Sequence, residues 1–421
     1  MRFIFLLAFV SSGALAQSVL VPTNESVAAQ HFAVAPALAE LHRQALNLSR
    51  LDRVNSARDA ELDAKVMANQ ALFPGAPSLG FDVRRDLPSG IALPGTTRAS
   101  QFGRNEIEPG LSAPIWLPGQ REAQQRVLLR ERAMLNAELR LQRLKLAGQV
   151  REAAWALERA STQIRLKQKQ LDSARALQAD VKRRVHAGDL APVDLALAHA
   201  DTLAAEAAFM DSQAQLDSAS LDLKRLTGSV KVGALMEATA VPVLTSAHPA
   251  LQVAREAVSV AQNRLELLVR TRRDNPRISA AARFDRDVTG APYRNTFRIG
   301  MSIPLDTEAR NAPLLAAATA ALTEAEVALE QRERELEAEV GRTRLALISH
   351  QALAQNQEDR SRAAQEVKGA IERAFYAGER SLAELLRVRS LAFEAELAHQ
   401  AAIHLVGLSQ ARLLQAMGVE P

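Results

Sequence analysis

Ile278-Ser279-Ala280-Ala281-Ala282-Arg283-Phe284-Asp285 alternates apolar with small or charged residues. After Thr289-Gly290-Ala291-Pro292 the alternation resumes in Thr296-Phe297-Arg298-Ile299-Gly300-Met301-Ser302-Ile303. Strand side chains point alternately to two faces, so this period predicts a hairpin with one apolar and one polar face. The two arms cover about 276–286 and 294–303, roughly the length that crosses a bilayer as a tilted strand. A second pair lies at about 77–86 and 104–113. There Leu79, Phe81 and Val83 alternate with Gly80, Asp82 and Arg84, and Ile107, Leu111 and Ala113 with Glu106, Glu108, Gly110 and Ser112. Pro109 is the awkward residue, because it removes a ladder donor. The pattern fits a hairpin on a soluble core, or barrel strands with lipid outside and water inside.

The two hairpins belong to an internal duplication with a constant offset of 190 residues. Gly110-Leu111-Ser112-Ala113-Pro114 matches Gly300-Met301-Ser302-Ile303-Pro304, Ala187-Gly188 matches Ala377-Gly378, Asp194-Leu195 matches Glu384-Leu385, and Gly228 matches Gly418. The first repeat covers 36–228 and the second 248–421, with a Val-, Gly- and Pro-bearing linker at 229–247. Each repeat runs from a helical stretch through two strands and a very long helix to a tight Ala-Gly turn and a shorter return helix.

The long helices are expected at 118–185 and 306–376. Leu139, Leu146, Val150, Ala153, Leu157 and Ala160 follow the three-and-four spacing of a coiled-coil seam. At about 1.5 Å per residue such a helix reaches roughly 100 Å. The return helices at 192–227 and 382–417 cover only about half that, so other helices must complete the span. The pattern marks His248 to Thr271 and Pro36 to Leu72 as helical. We expect the former to stack end-on above the first return helix and the latter above the second.

Met1-Arg2-Phe3-Ile4-Phe5-Leu6-Leu7-Ala8-Phe9-Val10, followed by Gly13-Ala14-Leu15-Ala16, reads as a secretory leader spanning 1–16, with an extension at 17–35. An exported chain with duplicated membrane-length strands favours the barrel. After the leader there is no run of about 18 uncharged apolar residues, so no helical anchor is expected. The chain has no cysteine, which excludes disulfides, thiolate chemistry and lipidation at a cysteine. Aromatics make up only 4%, a composition suited to long helices rather than to a compact enzyme. The 52 basic and 48 acidic residues interleave along helical faces, so the charge reads as a solvated surface and no nucleic-acid partner is expected. The eight histidines are scattered, and no H-E-x-x-H, phosphate loop or nucleophile elbow occurs. No cofactor, metal or enzymatic activity is expected. His186 reads as a solvated surface residue, and Trp116 as an interface anchor or a local packing group.

Four strands cannot close a barrel with a lumen, and open edges are not tolerated in lipid. Copies of the chain must therefore pool strands, most economically by cyclic symmetry. A dimer gives eight strands and a filled interior and a trimer twelve and an open one, and a conduit prefers the trimer.

These features resemble the TolC-type outer-membrane efflux proteins over nearly the whole mature chain. Tyr376-Ala377-Gly378-Glu379-Arg380-Ser381-Leu382-Ala383-Glu384-Leu385-Leu386 resembles the family's second periplasmic-tip turn, and Ala187-Gly188-Asp189-Leu190-Ala191-Pro192-Val193-Asp194-Leu195 its first. The tip turns thus fall at 186–191 and 377–381. The resemblance implies a mainly α protein whose helical hairpins form an α-barrel on a twelve-strand β-barrel. It also implies a homotrimer in the outer membrane, with the helices in the periplasm, serving an adaptor protein and an inner-membrane pump. It implies a gating and adaptor-docking tip bearing Gly188, Asp194, Gly378, Arg380, Glu384 and Arg387. Arg387 stands where the family often has a second acidic residue, and Phe375 where its aromatic often carries a hydroxyl. Phe73-Pro74-Gly75-Ala76-Pro77-Ser78-Leu79-Gly80 and Ile115-Trp116-Leu117-Pro118-Gly119-Gln120-Arg121 are similar to the branch serving heavy-metal cation efflux. Drug efflux and protein secretion stay open alongside it. A periplasmic adaptor is the alternative, but it would carry one helical hairpin and no duplicated strands; a soluble enzyme with coiled-coil arms would need a polar catalytic cluster.

Overall fold

The computed structural model describes residues 36–85, 104–230, 233, 235, 247–287 and 290–421. The leader, the 17–35 extension and most of the 229–247 linker lie outside the described residues. The elements are α1 (Pro36–Ser49), α2 (Leu51–Asn69), β1 (Ser78–Arg85), β2 (Asn105–Pro114), α3 (Gln120–Ala187) and α4 (Pro192–Thr227). They continue with α5 (Pro249–Arg270), β3 (Arg277–Arg286), β4 (Arg294–Ser302), α6 (Thr307–Tyr376) and α7 (Leu382–Ala416).

The strands form one antiparallel sheet in the order β1-β2-β3-β4. Leu79, Leu111, Ala280 and Ile299 lie side by side across it, as do Ser78, Ser112, Ser279 and Gly300 on the opposite face. The apolar face, including Phe81, Val83, Phe297 and Met301, is exposed in the single chain. β2 continues through Pro109, which faces Phe81 on β1, while its pairing to β3 skips Glu108 and Pro109. The missing donor therefore interrupts one ladder locally without ending the strand.

α3 has 68 residues and α6 has 70, each about 100 Å long. Neither breaks where a helix breaker sits. Gly148 lies inside α3 beside the Gln415 side chain, and Pro313 lies in the second turn of α6, where it removes the single bond its amide would make to the Ala309 carbonyl. The core is a string of small clusters along the seams, the form expected when long helices pack pairwise. One cluster joins Leu38, Leu41 and Ala45 of α1 to Val150, Ala154 and Leu157 of α3 and Leu223 of α4. Another joins Ala250 and Leu251 of α5 to Leu336 of α6. Between the hairpins, the outer edge of the Trp155 indole of α3 lies against Gly407 of α7. Arg151, fully buried, donates to Gln415 Oε1 at 2.9 Å and to the Val419 carbonyl at 2.8 Å.

The end-on stacking is the reverse of the sequence expectation. α1 and α2 continue α4, the first return helix, because α1 packs on Leu223 at its end. α5 continues α7, since His248 and Pro249 abut Gly418 just past α7. The physical reason is the duplication itself. The helix that precedes each strand pair caps the return helix of its own repeat, so both repeats reuse one packing solution, and α2 needs only a short connection to β1. The joint in the first of these stacks is Arg50, which breaks α1 from α2 in a left-handed conformation at φ 53.

α6 also carries a stretch long and apolar enough to cross a membrane by length and composition, with none of it buried in the single chain. The expectation of no uncharged apolar run of about 18 residues stands for α6, because Arg310 and Glu324 bound the uncharged part of this stretch. Leu314, Ala318, Ala321 and Ala325 line a groove with α3 and α5.

Candidate functional site

Two regions concentrate the chemistry: the helix turns farthest from the sheet, and the polar face of the sheet.

At the turns, α3 ends on Gly188 at φ 87, whose amide donates to the Val185 carbonyl, while the Asp189 amide reaches back to the Arg184 carbonyl at 2.9 Å. Gly378, at φ 80, repeats this, with the Glu379 amide on the Ala374 carbonyl at 2.9 Å. No atom lies within 4 Å of where a Cβ would stand on either glycine. The glycines are thus required by backbone conformation and not by space. The return helices then start on different caps. Ser381 Oγ accepts from the Glu384 amide, which is direct N-capping, whereas the Asp194 carboxylate accepts from the Ala191 amide at 3.1 Å. Asp194 and Glu384 both lie in a first turn, where negative charge suits the helix dipole.

Both turns close on one apolar cluster of Leu177, Val181, Ala198, Phe375, Leu382 and Leu385, flanked by Val185, Leu190, Leu195 and Leu386. Phe375 is buried there, where a hydroxyl would need a hydrogen-bond partner. The Arg184 guanidinium lies over both Phe375 and Tyr376, 5.5 and 5.0 Å from their centroids, and so ties the end of α3 to the end of α6. Within the chain Arg380 pairs with Glu384 at 3.2 Å, one turn along. Arg387 is exposed on the next turn, and the structure does not bring it to Glu384. Sequence reasoning missed Arg184, and also Arg389 of α7, which is buried and donates to the Ser173 carbonyl and hydroxyl of α3. An arginine in an otherwise apolar seam position was the available signal. His186 is exposed and lies 2.7 Å from the Lys182 carbonyl through Nδ1.

On the sheet, Glu106 of β2 lies 2.8 Å from Arg283 of β3 and within 4 Å of Arg84 and Arg104. Asp285 pairs with Arg294 at 2.5 Å, and Arg298 of β4 reaches across β3 to Glu108. The Glu108 and Arg298 positions are 190 residues apart, so this ion pair joins equivalent positions of the two repeats. Among the described residues no group of His, Cys, Asp and Glu could hold a metal ion.

The family profile for the outer membrane efflux proteins matches residues 53–229 and again 241–419. The chain belongs to that family. The two matched segments follow the two repeats, and members of the family are transport ducts, not enzymes. Solved structures share the fold over nearly the full length. A membrane protein from Pseudomonas aeruginosa superposes with a TM-score of 0.74 at 17% identity, covering 92% of this chain and 91% of that one. CusC gives 0.72 at 16% identity over 92% and 93%, and the Campylobacter jejuni CmeC outer membrane channel 0.70 at 14% over 91% and 86%. No curated protein sequence matches significantly. The fold class is therefore that of the TolC-type channels, long helical hairpins joined to a small membrane-type sheet.

Proposed function

We propose that three copies of the chain form a continuous duct across the outer membrane and periplasm. Twelve strands would close the membrane barrel, and the helical hairpins would form the tube below it. The observation that carries this reading is the sheet. Its apolar face is bare, and both edges, β1 and β4, have no strand partner among the described residues. In lipid such edges must be paired, and the β1 of one copy on the β4 of the next is the pairing that closes. Exposed apolar residues along α6, among them Leu314, Val327, Leu345 and Ile348, support a neighbour at the helices too.

In this reading the tip turns are the gate and the docking point for a periplasmic adaptor linked to an inner-membrane pump. Gly188 and Gly378 make the turns. Asp194 and Glu384 set their caps. Arg380 holds Glu384, and Arg387 presents a free cationic face to whatever docks. The duct is passive, and the pump supplies the energy. The two stretches similar to the metal-efflux branch carry architecture: Gly75 packs on Pro114, the Trp116 indole donates to the Ala71 carbonyl at 3.2 Å, and the Leu117 amide donates to Gln120. They brace the helix–sheet junction.

Because the chain lacks cysteine, introduced pairs give clean cross-links. Ser78→Cys, Gly80→Cys or Asp82→Cys on β1, combined in turn with Arg298→Cys, Gly300→Cys or Ser302→Cys on β4, should yield species of two and three chains after oxidation in membranes. Cross-linking confined to single chains in every pair would overturn the assembly.

A further inference from the structure

The polar face of the sheet is graded along the strands. Toward the helices it carries Ser78, Gly80, Gly110, Ser112, Ser279 and Gly300. Toward the hairpin loops it becomes a band of carboxylates and guanidiniums, and the two kinds of charge are not equally presented. Glu106 is 6% exposed and Asp285 2%, and the Glu108 side chain is 11% exposed. The side chains of Arg84, Arg104, Arg294 and Arg298 are 72%, 44%, 70% and 66% exposed. The acids lie against the sheet and the guanidiniums stand out from it. Asp82 on β1 and Asp287 beside the β3–β4 turn are the exposed carboxylates of the described residues here.

We propose that this band is a selectivity filter at the outer mouth, favouring anionic solutes such as carboxylates and oxyanions over free divalent cations. The inference rests on the trimeric barrel reading, in which the polar face lines the lumen. Three copies would then ring the mouth with at least twelve exposed guanidiniums. The carboxylates pair with these groups and fix their positions, so the charged ends nearest the solute path are guanidiniums. The field of exposed guanidiniums reaches about 8 Å at physiological salt, so it acts on solutes that pass close to the barrel wall. Guanidinium also matches carboxylate and oxyanion geometry with paired donors. A metal cation would pass this mouth most readily as an anionic complex.

The test is binding of pyranine, a fluorescent trisulfonate, followed by anisotropy on protein purified in mild detergent, with the mass of the same sample determined. Arg84→Gln/Arg104→Gln keeps the close Arg283 partner of Glu106, so the fold has no buried carboxylate left alone. Binding should weaken about threefold or more, as expected when exposed charge pairs of this class are lost. Asp82→Asn, an exposed change, should tighten it, and molar salt should abolish it in all forms. Unchanged affinity in both variants, in a sample of trimeric mass, overturns the filter and leaves the duct standing. A sample that is monomeric and free of detergent overturns the filter together with the barrel it lines.

Discussion

Gly407→Ala should separate the two helical hairpins of the chain. A Cβ built on Gly407 would stand 2.1 Å from Trp155 Cη2 and 2.6 and 2.7 Å from two further ring carbons. Carbon atoms rest at about 3.5–4.0 Å, so α7 would have to retreat by on the order of 1.5 Å or the indole leave its rotamer. The ring is rigid and buried, hence neither adjustment is local. Overpacking of this kind costs about 1–3 kcal/mol, against which Ala gains roughly 1 kcal/mol of helix propensity over Gly. A net loss of about 1–2 kcal/mol follows. Thermal unfolding of detergent-purified protein, followed by helical circular dichroism, reads this out. Trp155→Leu will be destabilising alone, but Trp155→Leu/Gly407→Ala should be no worse than Trp155→Leu, since the clash has gone. That non-additivity identifies the contact as the cause. A Gly407→Ala protein as stable as the parent, or a fully additive double variant, would refute the reasoning.

At the tip, Gly378→Ala should lower stability by about 1–2 kcal/mol through its left-handed backbone alone, and Gly378→Asn by much less, because Asn tolerates that region; equal losses in melting experiments would contradict this. Burial holds the His42 and His248 imidazoles below their ordinary range, with the Arg332 charge adding to the effect at His248. Both are then neutral in the folded chain while the unfolded chain takes up protons. The stability they allow is therefore complete above about pH 6.5 and falls as pH drops below it toward the folded value. His248→Asn keeps an acceptor for the Ala250 amide and should flatten the melting temperature profile between neutral and mildly acidic pH. The exposed Arg412–Glu152 pair, closed by bonds of 2.6 and 3.0 Å, should show a coupling of only about 0.2–1 kcal/mol in a double-mutant cycle, shrinking with salt.

The fold class was legible because its determinants are periodic. Strand alternation at Ile278 to Asp285 and the coiled-coil spacing from Leu139 to Ala160 each state a local geometry, and the repeat offset states that the geometry occurs twice. What periodicity cannot state is which surfaces meet. The stacking of α1 and α2 on α4 depends on Leu38 and Leu41 finding Leu223, far along the chain, and the opposite pairing was equally compatible with helix lengths. At the tip, spacing allowed Glu384 to pair with Arg387 three residues on or with Arg380 four residues back. The structure within one chain takes the second. The seat of Trp155 on Gly407 and the stacking of Arg184 over Phe375 leave only a weak trace, an unexpected residue type in a helical seam. The split between hidden carboxylates and projecting guanidiniums is likewise invisible in sequence, since alternation assigns Glu106 and Arg84 to the same face without saying which stands out.

The central claim is that this chain is one third of a membrane-spanning duct. It is tested most directly by purifying the protein from outer membranes in mild detergent and determining the mass of the complex by light scattering, corrected for bound detergent. A protein mass near three chains, carrying a detergent belt, is the predicted result. A single chain that leaves the membrane in high salt and binds no detergent would contradict the account, and would return the two hairpins to an ordinary periplasmic core.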